Sequence, residues 1–234
     1  VNEDFMTDPI QFGTDGIRGI AGMYPLAPES VLAVGRAIGG WLRQTCDSPT
    51  VQIGRDTRPS GPQITHTLLA GLTAEGVTAD DAGVITTPGV AHLTRSQGYD
   101  LGIVISASHN PADQNGIKLI GADGFKLSDE AEAAMETVIA ETLVRSRPVQ
   151  RFGHARPAEQ HRERYLQHLT AGLAPDALQG LSVVLDCANG AAYAIAPAAF
   201  ARLSAEVTAL GTSPTGNNIN VRSGSEYVRR QSST

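Results

Sequence analysis

Two serines, a histidine and an asparagine stand together in Ser106-Ala107-Ser108-His109-Asn110-Pro111. They follow Leu101-Gly102-Ile103-Val104-Ile105, an apolar run of the kind that forms a strand buried on both faces. Ligands of α/β sheets bind beyond the carboxyl ends of the strands. A nucleophilic or phosphorylated serine beside a histidine would sit there. Ser, Asn and Pro also build turns, and a turn or N-cap cluster explains the same residues. The segment is no nucleophile elbow, which requires G-x-S-x-G running into a helix.

Two further loops could bring positive charge to the same place. Phe12-Gly13-Thr14-Asp15-Gly16-Ile17-Arg18-Gly19 sets three glycines around an arginine, and Gly54-Arg55-Asp56-Thr57-Arg58-Pro59-Ser60-Gly61 repeats the pattern. Glycines let backbone approach a ligand closely, and arginine offers a planar fork to phosphate. Neither loop has the spacing of a nucleotide-binding motif. Each read alone is a tight loop with an exposed arginine; together they could converge on one phosphate-rich site. Thr14, Asp15, Gly16, Arg55 and Asn110 are the candidate substrate- and phosphate-binding residues, with Arg18 as a catalytic cation. Asn115-Gly116 signals a hairpin, which would return Lys118 toward Ser108 as a phosphate-binding charge or proton carrier. His154, His161 and His168 recur every seven residues. Seven helical residues span ~10.5 Å, too far to share one metal ion, so these read as surface histidines. His66 and His92 have no evident partners.

The elements that would hold these loops alternate in period. Val31, Val34, Ile38, Trp41 and Leu42 share one helical face. Ile64, Leu68 and Leu72 mark a second helix, Pro88 opens a third, and Ser128-Asp129-Glu130 caps a fourth. Short strands are expected at 51–53, 101–105 and 117–120, and a polar one at 77–85 because of Asp80-Asp81. Residues 146–160 read as a linker on their Pro148, Gly153 and Pro157. A helix is expected at 162–169, a strand at 182–185, a helix at 196–203 and a strand at 205–210. The reading is therefore α/β: a mixed, mainly parallel sheet flanked by helices over 1–145, then an incomplete second α/β unit over 161–225. Residues 226–234 read as a disordered tail.

Composition narrows the function. The chain has 234 residues, with 18 Lys plus Arg against 24 Asp plus Glu, giving a net charge of −6. That leaves no basic footprint for nucleic acid and no polybasic patch for lipid. No apolar run approaches the ~20 residues of a membrane helix. The acidic start is followed by no signal-peptide core. Cys46 and Cys187 give neither a disulfide framework nor metal spacing and fit a reducing cytoplasm.

The motifs FGTDGIRG, GRDTRPSG, TTPGVAHLTRS, ISASHNP, NGIK, GFKLSDE and LDCANGAAY, in this order, resemble the α-D-phosphohexomutases. Within that family, SASHNP with DCANGAAY is most similar to the branch acting on glucosamine phosphates. The resemblance runs over about 11–225. It implies that Ser108 carries a phosphoryl group, gives it to a hexosamine phosphate, and recovers the other phosphoryl group from the resulting bisphosphate. The net expectation is interconversion of glucosamine 6-phosphate and glucosamine 1-phosphate on the route to UDP-N-acetylglucosamine. A sugar bisphosphate would activate, and one Mg²⁺ would bind through the Ser108 phosphate. His109 and Lys118 match positions for proton transfer or phosphate contact, and the base is not assigned between them. The alternatives are a phosphomannomutase or phosphoglucomutase of the same family, or a non-catalytic sugar-phosphate-binding remnant. Family members are roughly twice this length. The family's Asp-Gly-Asp-Gly-Asp-Arg metal segment, sugar-recognition loop and C-terminal phosphate loop do not occur here. Asp80-Asp81 departs from a more apolar family strand, and the resemblance stops at Glu226, as at a truncation or frame shift. The chain alone is accordingly expected to show no appreciable mutase turnover, although Ser108 is expected to accept a phosphoryl group from a sugar bisphosphate.

Overall fold

The computed structural model describes residues 8–145, 148–149 and 151–227. The acidic N-terminal residues and most of the expected tail lie outside them. In chain order the elements are β1 (Ile17–Ile20), α1 (Pro28–Leu42), β2 (Thr50–Arg55), α2 (Gly61–Ala74), β3 (Thr78–Val84), α3 (Thr87–Gln97), β4 (Leu101–Ile105) and β5 (Gln114–Gly121). They continue with α4 (Asp129–Val144), β6 (His154–Pro157), α5 (Gln160–Thr170), β7 (Ser182–Asp186), α6 (Ile195–Arg202), β8 (Glu206–Leu210) and a 3₁₀ turn at Ser225–Tyr227.

Six strands form one sheet in the order β1-β5-β4-β2-β3-β6. The pairs β4/β2, β2/β3 and β3/β6 are parallel, while β5 runs antiparallel to both β1 and β4. Strands β7 and β8 form a separate parallel pair. The mixed, mainly parallel α/β reading therefore holds.

Alternation along the central strands divides the core between two helical layers. Val51, Ile53, Leu101, Ile103, Ile117 and Leu119 pack with Val34, Ile38, Leu68, Leu72, Met135 and Ile139, so α1, α2 and α4 cover one face. Ile85, Val104 and Ile120 pack with Val90, Leu93, Tyr165, Leu166 and Ile195, so α3, α5 and α6 cover the other. Each Leu or Ile so enclosed contributes about 1.5–3 kcal/mol, which explains why β4, buried at every position, anchors the sheet. The helix starts follow local chemistry. Thr86 Oγ1 accepts from Gly89 N at 3.3 Å at the head of α3, and Ser128 Oγ accepts from Ala131 N at 3.2 Å at the head of α4.

Three expectations fail for identifiable reasons. Inside the expected linker, residues 154–157 form β6, because Arg156 lies opposite Asp80 in register and gives its carboxylate bonds of 2.7 and 3.0 Å. Asn115-Gly116 is no hairpin turn. Both residues lie within β5, paired with β1, and residues 106–113 make the reversal. Of the three histidines expected at the surface, His154 and His168 are exposed and His161 is not. His161 is 1 % exposed, with Nε2 2.9 Å from the Tyr99 hydroxyl, and His168 stacks on His92 at 3.5 Å between ring centroids. Seven-residue spacing put His161 and His168 on one helical face, and that face is the one α5 turns toward α3.

Candidate functional site

The loop after β4 turns its side chains in alternating directions. Ser106 Oγ donates to Asp56 Oδ2 at 2.6 Å and accepts from Ser108 N at 3.0 Å, so this hydroxyl is occupied holding the turn. Ala107 is fully buried. Ser108 follows at φ 56°, a left-handed conformation uncommon outside glycine, and is exposed together with His109. The two serines differ in what each touches: Ser106 points in at a carboxylate and Ser108 faces out. Asn110, expected to bind phosphate, closes the turn through its amide, which donates to Gln114 Oε1 at 2.7 Å.

Behind the loop lies Arg58, 1 % exposed and committed at all five guanidinium donors. Its Nε meets Asp56 Oδ2 at 2.9 Å. Its Nη1 donates to the carbonyl of Pro111 and, at 3.0 Å, to that of Gln114. Its Nη2 donates to the carbonyls of Ser108 and Asn110, both at 2.9 Å. Reading the sequence as Gly/Arg loops marked this segment but gave the phosphate role to Arg55. The structure pairs Arg55 Nη1 with Asp81 Oδ1 at 2.8 Å instead. Asp56, Arg58 and Ser106 are the supporting residues that sequence reasoning missed. The signal was present, since an acid and an arginine two residues apart directly after a strand can chelate one another.

A cationic rim stands on the neighbouring strands. Gly13 and Gly16 exchange backbone hydrogen bonds of 3.2 and 3.1 Å, which places Thr14 and Asp15 at an exposed tip. Gly16 has φ 90°, and a Cβ there would collide with the Ile117 carbonyl, so only glycine lets this tip lie on β5 beside Lys118. Asp15 then bridges two cations, Lys118 Nζ and Arg18 Nη2, each at 3.2 Å. The hydrogen bond and charge of Lys118, with Arg18 and His109 adding to them, hold the Asp15 carboxyl below the usual carboxylate range. Arg18 Nε is buried with no partner among the described residues. Thr14, Asp15, Gly16, Arg18, His109 and Lys118 are therefore brought together, and Arg55 is turned elsewhere.

A cavity of about 330 Å³ opens over Ser108 and His109. Its far wall comes from the second unit and includes Asp186, Ala188, Ile219 and Asn220. Asp186 Oδ1 accepts from Ala188 N at 2.9 Å and Oδ2 from Gly224 N at 2.6 Å, folding this wall. Cys187 lies in the wall, and burial pushes its thiol up. Thr57 Oγ1 donates to the Asn189 carbonyl, tying the two sides. The donor set does not fit a complete site for Mg²⁺. The carboxylate next to the serine turn, Asp56, is already held by Arg58 and Ser106. No group of three or more His, Cys, Asp or Glu is placed to hold a metal among the described residues. No described helix is long and apolar enough to cross a membrane.

What this arrangement can do is present one exposed hydroxyl, on a rigidly held loop, to an anionic group under positive charge. Residues 9–145 match the family model described as phosphoglucomutase/phosphomannomutase, alpha/beta/alpha domain I. The phosphoglucosamine mutase of Paracoccus denitrificans is 48 % identical over 218 residues, covering 92 % of this chain and 48 % of that protein. That of Syntrophus aciditrophicus is 46 % identical over 219 residues, covering 92 % and 49 %. The chain thus spans about half the length of the curated relatives it matches. A crystal structure of a phosphoglucomutase/phosphomannomutase family protein from Burkholderia thailandensis superposes with a TM-score of 0.76 at 28 % identity, covering 91 % of this chain and 46 % of the other.

Proposed function

Since the chain belongs to the phosphoglucomutase/phosphomannomutase family, we propose that Ser108 is its phosphoryl acceptor and donor. For the whole protein we propose interconversion of glucosamine 6-phosphate and glucosamine 1-phosphate, the activity named by relatives 46–48 % identical to this chain. In the half-reaction that these residues carry, the Ser108 hydroxyl oxygen attacks a phosphorus of a sugar bisphosphate. A new P–O bond forms to Ser108, the bond from phosphorus to the sugar oxygen breaks, and the serine proton passes through a base to that oxygen, which leaves as a sugar hydroxyl. The reverse step on a reoriented sugar completes the cycle.

The observation that carries this reading is the contrast within the serine turn: Ser106 is consumed by Asp56, whereas Ser108 is exposed over the cavity on a loop that Arg58 fixes. Phosphoryl transfer through a loose transition state needs positioning and positive charge more than covalent help. Arg18 and Lys118 supply the charge; Asp15 now lies between them and is the group an incoming phosphate would displace. His109 and Lys118 are the two candidates for the proton. When bound through the Ser108 phosphate, Mg²⁺ would add charge neutralisation. A cytoplasmic setting accompanies this chemistry, as its sugar phosphates are cytoplasmic metabolites.

The test is a single-turnover reaction of the chain with glucose 1,6-bisphosphate, followed by ³¹P NMR. The expected result is loss of bisphosphate with up to one equivalent of sugar monophosphate formed per chain, in step with a protein-bound phosphate signal. Bisphosphate left intact by folded chain would contradict the reading.

A further inference from the structure

We propose that Asn220, from the second unit, is a positioning residue for Ser108, and that it and Arg58 together form one clamp on the phosphoryl-accepting loop. This rests on the reading of Ser108 as the acceptor. Asn220 Nδ2 donates to the Ser108 carbonyl at 2.9 Å and to the Asn110 carbonyl at 3.1 Å. These are the same two oxygens that Arg58 Nη2 reaches at 2.9 Å from the opposite side. A carbonyl oxygen has two lone pairs and an amide NH₂ has two protons. Both carbonyls are therefore filled, each by one donor from either side of the cavity.

The clamp is built on the second side as firmly as on the first. Asn220 has φ 61°, its own N–H donates to the Ala188 carbonyl at 2.9 Å, and its neighbour Ile219 is 2 % exposed. Gly216, on the same loop, approaches Pro59, next to Arg58, at 3.3 Å from where its Cβ would be. The amide is thus aimed by its backbone. The Ser108 carbonyl belongs to the peptide plane joining Ser108 to His109, so holding it fixes where both side chains enter the cavity. With Arg58 alone, each carbonyl keeps one donor and the loop remains in place but can rock about the guanidinium. A rocking nucleophile loses rate because small misplacements of a reacting atom cost on the order of 100-fold. Docking of the second unit and readiness of Ser108 are by this geometry one event.

The experiment uses the 234-residue chain with two substitutions. Asn220→Gly accepts the left-handed backbone without strain and removes the whole side chain, its amide included. Asn220→Asp also tolerates that backbone and turns carboxylate oxygens on two carbonyls. Three readouts are taken: thermal midpoint, hydrogen exchange at the amides of residues 108–114, and the rate of Ser108 phosphorylation by glucose 1,6-bisphosphate over a concentration series. The expected result is faster exchange confined to 108–114 and a saturating rate lowered about 10–100-fold. The half-saturating concentration stays near that of the unsubstituted chain, and Asn220→Asp is the more impaired. A saturating rate equal to that of the unsubstituted chain in both variants would overturn the positioning role, whatever the thermal midpoint. Slower phosphorylation explained by a fall in the folded fraction, with exchange raised throughout, would overturn it too. An unsubstituted chain that takes no phosphoryl group overturns the acceptor reading and this role with it; raised exchange at 108–114 in the variants would then mark a structural contact only.

Discussion

Replacing Arg58 by Met keeps the length and apolar bulk of the side chain and deletes the guanidinium. The site loses one charge-assisted bond to Asp56 and four bonds to the carbonyls of Ser108, Asn110, Pro111 and Gln114. Asp56, 5 % exposed, keeps the Ser106 hydroxyl and the backbone N–H of residue 58 but has no countercharge. Removing one member of a buried ion pair costs about 3–5 kcal/mol, mostly because the other charge stays buried alone. The carbonyls of Ser108 and Asn110 retain Asn220, so they add little to this. An expected loss of about 3–5 kcal/mol is roughly a fifth or more of the stability of an ordinary domain. Urea unfolding measures it through Trp41, the single tryptophan, which packs against the main core from α1. The double variant Arg58→Met/Asp56→Asn removes the stranded charge and should recover about half of the loss or more. A loss below about 1 kcal/mol in Arg58→Met, or an equal loss in the double variant, would refute the idea that a buried ion pair organises this loop.

Other outcomes follow from the same geometry. Gly71→Ala would place a Cβ 2.6 Å from the Leu32 carbonyl where α1 crosses α2; the overpacking should cost about 1–3 kcal/mol in the same urea titration. Lys118→Met removes the largest influence on Asp15, so its carboxyl should titrate closer to 3.8 by NMR, and an unmoved value would show that Lys118 does not hold it. Burial lowers the pKa of His161 from 6.5, against the raising influence of Asp80 and with the lowering influence of Arg164. The unfolded chain therefore binds the proton more readily, so this histidine's contribution is complete above about pH 6.5 and declines as the pH falls through and below that value. In His161→Phe the drop in unfolding free energy between about pH 7.5 and about pH 5.5, roughly one unit either side of that value, should shrink in urea titrations, and an unchanged drop would count against this role.

The parts legible in the sequence were those governed by periodicity and turn chemistry. The stripes on α1, α2 and α4, the Ser128 cap and the apolar run of β4 depend on neighbours a few residues apart, and all appear where expected. The parts missed depend on partners far along the chain. β6 is a polar, exposed edge strand whose reason is Asp80, and Arg156 reaches it from 76 residues away. Ile17–Ile20 was hidden as a strand by its glycine-rich setting, and pairing with β5 creates it. Within the site, Ser108 was placed by its position after β4, and Lys118, Asp15 and Arg18 do meet. Arg55 and Arg58 were indistinguishable as letters. Only the fold shows that one neutralises Asp81 while the other, buried, holds the serine turn.

The most direct test of the account is site-resolved mass mapping after exposure of the chain and its Ser106→Ala and Ser108→Ala variants to glucose 1,6-bisphosphate. The account predicts one phosphoryl group on Ser108 in the unsubstituted chain, the same site labelled more slowly in Ser106→Ala, and none in Ser108→Ala. Label on Ser106, or label persisting in Ser108→Ala, would contradict it.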